Sequence, residues 1–554
     1  MTIDLTNFGL PSLRSVLQSG AENKSEAEVY WDVKFWPYDN DVTAKPIFAV
    51  TNKKVVHIYS ISSTSQCDVL RTFQVQSGQD FVDPFVACTW AYIDREEPLI
   101  CAAGDSGLVR VLNVLQGDLK TTLQGHGVGN VNDLATHPIY PWIVASGSQD
   151  TSIRIWDLRR WNARHESVCI IICGHGHGHQ NGILSLSWHS NGRYLISGGH
   201  DHRICIWTIP DLAKDSTFWD EISPEKRKRS SNEVKIIYYP HFTSTAMHSN
   251  FVDCVRFYGD AVLSKSAQEN KIVLWRINGF DSRLPPPSKD LAPKAQEHLD
   301  SRNGFMRTHD VLPNGINRFD TKDELSDEAA FTRLLEFDAP NCVSFYMRFE
   351  ILQPSPIFAD LHPVLAIANE VSQLLIWDLE ALSRGYNGTQ ARPIKPKPPP
   401  KASRKGVAHK ITGNRSTYTP DTSTAGQNTP TASSPDQSPR LTASTEPTPP
   451  IDLFGLNGAE PVVDRKRFPL HDPHTPIEAH KVIQLKPKGT KGYDDYKMIG
   501  RSVAWSRDGK WCVAAGETQE AVGKWAPYQK GKLRERKAKQ IGIASVLGRW
   551  DAAE

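Results

Sequence analysis

The densest concentration of chemistry-bearing residues is the run Gly174-His175-Gly176-His177-Gly178-His179, a few positions after Cys169 and Cys173. Imidazole and thiolate together are a zinc ligand set, and alternating glycine lets such a string wrap an ion. Zinc sites of this kind close on two ligand pairs, however, and no second half-site accompanies this one. Neither a metal nor a cofactor is expected. The signatures of catalysis are missing as well: there is no GxSxG elbow, no HExxH helix and no GxxxxGK[ST] phosphate cradle. Carboxylates are scattered over turn-like segments. No catalytic residue is assigned, and the polypeptide reads as a rigid platform for display rather than an enzyme.

The elements that build the platform repeat. In Gly125 to Asp157, three strand-like runs (Val131 to Leu134, Trp142 to Ala145, Ile153 to Trp156) are separated by a Pro138/Pro141 turn and a polar turn from Gly147 to Thr151, which makes a meander. Opening on Gly-His and closing on Trp-Asp, the stretch resembles a WD40 repeat, the unit of one four-stranded propeller blade. The resemblance implies a hydrogen-bonded relay of His126, Ser146, Asp150 and Trp156. A second copy, Gly178 to Trp207, places His179, Ser197, Asp201 and Trp207 alike, which claims one of the histidines considered above. Weaker copies at residues 31–61, 85–114, 251–277, 345–379 and 501–525 keep the strand rhythm without the relay. One blade cannot cover its own two apolar faces, so the copies must stack. The expected fold is all-β: a seven-bladed WD40 β-propeller over residues 29–526, with long disordered insertions.

Around that ring lie less regular segments. Residues 1–28 contain SLRSVLQ (Ser12 to Gln18), which is expected to complete the last blade and cover its edge; a short amphipathic helix is the alternative. Insertions are read at 210–234, 278–340 and 381–464. The first carries Lys226-Arg227-Lys228-Arg229, the second a charged stretch from Asp320 to Glu336 open to a helix. The third, rich in Pro, Ser, Thr and Lys, cannot bury enough apolar surface to offset its ordering entropy. Residues 527–554 read as a basic tail. With 64 basic against 62 acidic residues among 554, net charge gives no global attraction to nucleic acid, which leaves the basic insertion and tail as local contacts for nucleosomal DNA. Nine cysteines without framework spacing point to reduced thiols, and no apolar run spans a membrane, so the protein is expected to be soluble and, given its partners below, nuclear.

Specific segments narrow the family. HSNFVDCVRFYGDAVLSKSAQENKIVLW (His248 to Trp275), FYMRF (Phe345 to Phe349), FVACTWAY (Phe85 to Tyr92) and RSVAWSRDG (Arg501 to Gly509) resemble the EED / extra sex combs family, the WD40 subunit of Polycomb repressive complex two. The resemblance implies a non-catalytic scaffold that reads trimethyl-lysine on the histone H3 tail and stimulates a SET-domain methyltransferase subunit of Enhancer of zeste type, with its zinc-finger partner subunit, in transcriptional repression. A quaternary ammonium donates no hydrogen bond, so aromatic faces select it through cation-π attraction. Carried over by motif, the cage falls on Trp31, Phe345 and Tyr346, each placed at the opening of a blade's innermost strand. A family tyrosine is replaced by Val86, which leaves a wall aliphatic unless the neighbouring Phe85 fills it. Arg501, Asp253 and Asn132 match polar positions at the channel mouth. The other reading is a generic WD40 adaptor holding an unmethylated peptide.

Overall fold

In a computed structural model, the described residues are 10–18, 29–38, 44–52, 55–62, 66–74, 85–93, 97–127, 129–160, 168–174, 176–212, 234–294, 301–306, 330–354, 361–383, 475–485, 496–520 and 541–548. They form seven sheets, one per blade, antiparallel except where Lys235–Ile237 adds a parallel strand to Cys169–Cys173 of blade three. The first four blades start with the inner strands Tyr30–Phe35, Phe85–Tyr92, Val131–Thr136 and Ile183–Trp188. The last three start with Val252–Tyr258, Glu350–Leu352 and Tyr496–Trp505. Alternating apolar residues make each sheet apolar on both faces, and burial follows from stacking. Every apolar cluster is shared by two consecutive blades, and one of them joins blade seven to blade one through Val513, Val546, Tyr30 and Val33. The core is therefore a closed set of inter-blade layers rather than a single centre.

Closure joins the two ends of the chain. Ser12–Gln18 pairs antiparallel with Ile541–Gly548, which in turn pairs with Trp511–Glu520. Residues 541–548, read from composition as part of a basic tail, are thus a blade strand; the IGIASVLG sequence is apolar and β-branched, unlike the basic stretch before it. The insertion read at 278–340 also shrinks. Ser301–Asn303 adds a strand to blade four, and Phe331–Asp338 is the outer strand of blade five, where a helix was open. Phe331 packs edge-on against Trp275 and Phe337 against Trp377, and this tertiary burial overrides the helical character of the charged sequence. Blade six takes its outer strand, Lys481–Gln484, from beyond the third insertion. Lys226 to Arg229, residues 384–464 of the insertion read at 381–464, and the basic residues 530–539 lie outside the described residues.

Candidate functional site

The relays come first, because they fix the turns at the site's rim. His126 Nδ1 meets Asp150 at 2.9 Å and its Nε2 meets Ser146 Oγ at 2.7 Å, while Trp156 Nε1 donates to the same Oγ at 2.8 Å. His179, Asp201, Ser197 and Trp207 repeat the arrangement at 3.0, 2.8 and 2.9 Å. Gly178, at φ +91°, leaves room that Trp207 fills: a Cβ there would lie 2.5 Å from the indole. The glycine next to His179 in the Gly-His run therefore serves packing. His177 packs tilted against Tyr239, Cys169 and Cys173 are buried in a strand, and His175 lies outside the described residues. Among the described residues no group of three potential ligands gathers.

A third relay was missed in sequence. His248, Glu269, Ser264 and Trp275 connect at 2.8, 2.7 and 2.9 Å. Glutamate stands where the other two blades use aspartate, so the motif was hidden by one methylene. Burial would raise the Glu269 carboxyl, but its bond to His248 and the Ser249 donors pull it down to about 2. Asp201, similarly buried and held by His179, also lies at about 2.

The axial site rests on one recurring backbone feature. Inner-strand register shifts fall between Tyr30 and Asp32, Phe85 and Ala87, Val131 and Asp133, Ile183 and Ser185, Val252 and Cys254, and Gly500 and Ser502. The extra residues are Trp31, Val86, Asn132, Leu184, Asp253 and Arg501. A β-bulge leaves one residue unpaired and re-aims it. Five of these six residues are ones assigned to the site from sequence. Blade six departs from the pattern: Phe345 and Tyr346 lie on an irregular segment before Glu350–Leu352, not in a strand, with Tyr346 at φ +66°.

The structure brings the three proposed rings together. Trp31 and Tyr346 meet edge to face, with centroids 5.7 Å apart, and Phe345 lies 5.6 Å from Tyr346. Tyr346 is buried, whereas Phe345 is 40% exposed. The Tyr346 hydroxyl donates to the carbonyl of Asn132 and accepts from Arg348 Nη2 at 2.8 Å, so the side chain spans from blade six to blade three. Burial pushes its phenol far above the ordinary value. The Arg501 guanidinium sits 5.1 Å over the Trp31 ring, donates to the Phe345 carbonyl at 2.6 Å and pairs with Glu517. One residue thereby contacts both the Trp31 ring and the Phe345 backbone.

The remaining assignments fare differently. Phe85 is 1% exposed within the layer between blades one and two, so it fills no wall; strand alternation turns it into the core. Val86 stays half-buried beside the site, its carbonyl 3.4 Å from the Tyr346 hydroxyl. Asp253 is wholly buried, paired with Lys265 at 3.2 Å and accepting from the Tyr346 amide at 3.0 Å; burial pushes its carboxyl up. The Asn132 amide is spent on the Ile183 carbonyl at 2.8 Å. These two residues hold the frame and are not turned toward a tail. Of the three polar residues, only Arg501 borders the rings.

Beneath Tyr346 lies a residue the sequence reading passed over. Arg348 is 1% exposed, 2.9 Å from Asp133 and 3.7 Å from Asp32, and donates to the carbonyls of Asn132 at 2.6 Å and Leu184 at 3.2 Å. It ties four blades at the axis. Asp32 also accepts from Cys88 and Asp133 from Leu186, each reaching the next blade. Burial would raise Asp32, but Lys34, Arg348 and the Cys88 amide hold it low.

Known proteins bear on this geometry. A family model described as WD domain, G-beta repeat, matches residues 117–157 and 169–208. Polycomb protein EED of Chaetomium thermophilum is 31% identical, over 94% of this chain and 96% of that protein. The chain belongs to the Polycomb EED family. Another relative, Polycomb protein esc of Drosophila melanogaster, is 26% identical over 60% of this chain and 66% of its own length. Among solved structures, the crystal structure of the Chaetomium thermophilum polycomb repressive complex 2 contains a chain 29% identical, with TM-score 0.64 and 98% of each chain covered. A chain in ctPRC2 in complex with H3K27me3 and H3K27M is 30% identical, with TM-score 0.64 and 99% of each covered. The two copies matched by the repeat model hold the two relays found first; EED family membership extends the likeness across the ring.

Proposed function

We propose that the protein is the non-catalytic reader and scaffold subunit of a Polycomb-type histone H3 lysine methyltransferase complex, and that Trp31, Tyr346 and Phe345 receive a trimethyl-lysine of the H3 tail. The observation that carries this reading is the meeting of rings from blades one and six: Trp31 stands edge to face with Tyr346 at 5.7 Å, and Phe345 lies 5.6 Å from Tyr346. Aromatic faces attract a quaternary ammonium, and burial of its methyl groups excludes water. A similar chain in the solved structure of ctPRC2 in complex with H3K27me3 and H3K27M supports the choice of ligand. In this role the chain works on chromatin, in the nucleus, and tail binding reinforces a SET-domain subunit of Enhancer of zeste type through a coupling that acts in both directions. A zinc-finger partner subunit completes the assembly, and the basic runs at 226–229 and 530–539 contact nucleosomal DNA.

Calorimetry with trimethylated and unmodified H3 peptides tests the reading. The trimethylated peptide binds selectively, and Trp31→Ala or Phe345→Ala abolishes that selectivity while the melting transition stays cooperative. Equal affinity for the two peptides overturns it.

A further inference from the structure

The face behind Phe345 carries an arrangement that the reader function does not use. His200, on the turn between the second and third strands of blade four, stacks against Phe345 with centroids 5.5 Å apart and planes within 17°. Phe251 stands edge-on to His200 at 4.9 Å and nearly perpendicular to Phe345 at 6.4 Å. Phe345 sits on irregular backbone and is substantially exposed, so little beneath it fixes its plane. Arg501 holds its carbonyl; His200 and Phe251 hold its ring.

We propose that His200 is a positioning residue of the trimethyl-lysine site, a fourth ring stacked behind the Phe345 wall, and that it supports capture only while its imidazole is neutral. The inference rests on the reading of Trp31, Tyr346 and Phe345 given above.

Two features of the stack carry it. A phenyl ring offers its negative π density to a cation on either face, so an imidazolium on one face competes with an ammonium on the other. The two positive charges also repel across a partly desolvated gap. Second, His200 Nδ1 is buried without a hydrogen-bond partner among the described residues. A second ring proton therefore goes unanswered, and burial pushes the imidazole below its ordinary value while Asp201 opposes that.

The charged surroundings do not cancel the effect. On the same turn, Asp201 is committed to His179 and lies 3.7 Å from Arg203, and His202 packs against Phe251. The blade-five turn contributes the His248–Glu269 pair, and blade seven contributes Arg501 with Glu517. Asp201 lies beside Arg203 and Glu517 beside Arg501, and the Glu269 oxygens are taken by His248 and the Ser249 donors.

The test uses the full chain and a trimethyl-lysine H3 peptide without histidine. As pH falls from about 8 through the His200 midpoint, wild-type affinity falls toward a limit of about fivefold, the scale of one added like charge roughly 10 Å away, while the ring gains its second proton. His200→Phe keeps the stack and gives a flat profile. His200→Gln loses the stack and binds more weakly at every pH, and His202→Gln behaves like wild type. By linkage, peptide addition lowers the His200 titration midpoint read by NMR, a shift that a purely structural role would not produce. An unchanged pH profile in His200→Phe, or an unmoved midpoint, overturns the proposal. Failure to discriminate trimethylated from unmodified peptide at pH about 8 would instead remove the reader function itself, a separate outcome of the same titrations.

Discussion

Val86→Tyr should tighten trimethyl-lysine binding by restoring a ring where the family resemblance places tyrosine. Val86 is the bulged residue of blade two, half-buried, with its carbonyl 3.4 Å from the Tyr346 hydroxyl. A ring grown from this position starts beside Tyr346 and needs no movement of Phe85, which stays in the layer between blades. A single cation-π contact contributes about 0.5–1 kcal/mol when wet and about 2 kcal/mol when desolvated. That range corresponds to about twofold to thirtyfold in dissociation constant. Calorimetry on trimethylated and unmodified peptides reads the gain, and it should appear for the trimethylated peptide alone, since an ordinary ammonium remains better solvated by water. No gain, or an equal gain for both peptides, refutes the placement of Val86 as a wall. A denaturation midpoint equal to wild type confirms that the larger side chain has not strained the bulge.

Other perturbations test the frame. Arg348→Met leaves the buried Asp32 and Asp133 carboxylates without their shared cation and should cost about 3–5 kcal/mol by chemical denaturation; a near-neutral result would mean that the axial network contributes little. Acid should loosen the relays. Asp201 and Glu269 are held at about 2 in the folded protein, so their contribution is complete above the ordinary carboxylate range and drains as pH falls toward about 2. Denaturant midpoints should decline below pH about 4.5, and Glu269→Gln should remove part of that slope, a contribution on the order of 2 kcal/mol. Deleting residues 1–18 strips the partner from Ile541–Gly548 and exposes a sheet edge, so melting should fall and light scattering rise.

Blade count, inter-blade stacking and two relays were legible because they follow from strand alternation and spaced polar side chains. The third relay was hidden because Glu269 takes the place of an aspartate and because Ser264 and Trp275 stand 11 residues apart where the other two pairs stand 10 apart. Outer strands were the hardest to read. Phe331–Asp338 contains Thr, Arg and Glu because much of it is only half-buried, so its sequence lacks the apolar run that marks an inner strand. Ile541–Gly548 was separated from its neighbours by a basic stretch that dominated the composition. Motif resemblance picked out Trp31, Tyr346 and Phe345, whose rings the fold brings together, but Arg348 was passed over: a lone arginine in FYMRF gives no sign that two aspartates from distant blades converge on it. Burial of a charge becomes legible only when its partners are known.

The bulges explain why frame and site occupy the same place. Each bulge frees one residue from the ladder, with a side chain and a carbonyl to spend toward the axis. Asn132 and Leu184 spend their carbonyls on Arg348, Asp253 spends its carboxylate on the Tyr346 amide, and Trp31 and Arg501 present their side chains at the rim. Tyr346 joins the two groups, since its hydroxyl is tied to Arg348 and Asn132 while its ring meets Trp31 and Phe345. A cation arriving at Trp31 and Phe345 therefore meets rings whose geometry was fixed by closure of the propeller, and most of the ordering cost is met during folding rather than on binding. The same linkage gives a route outward. A partner that shifts the inner strand of blade one, three or four reaches Arg348, and through Arg348 the Tyr346 hydroxyl.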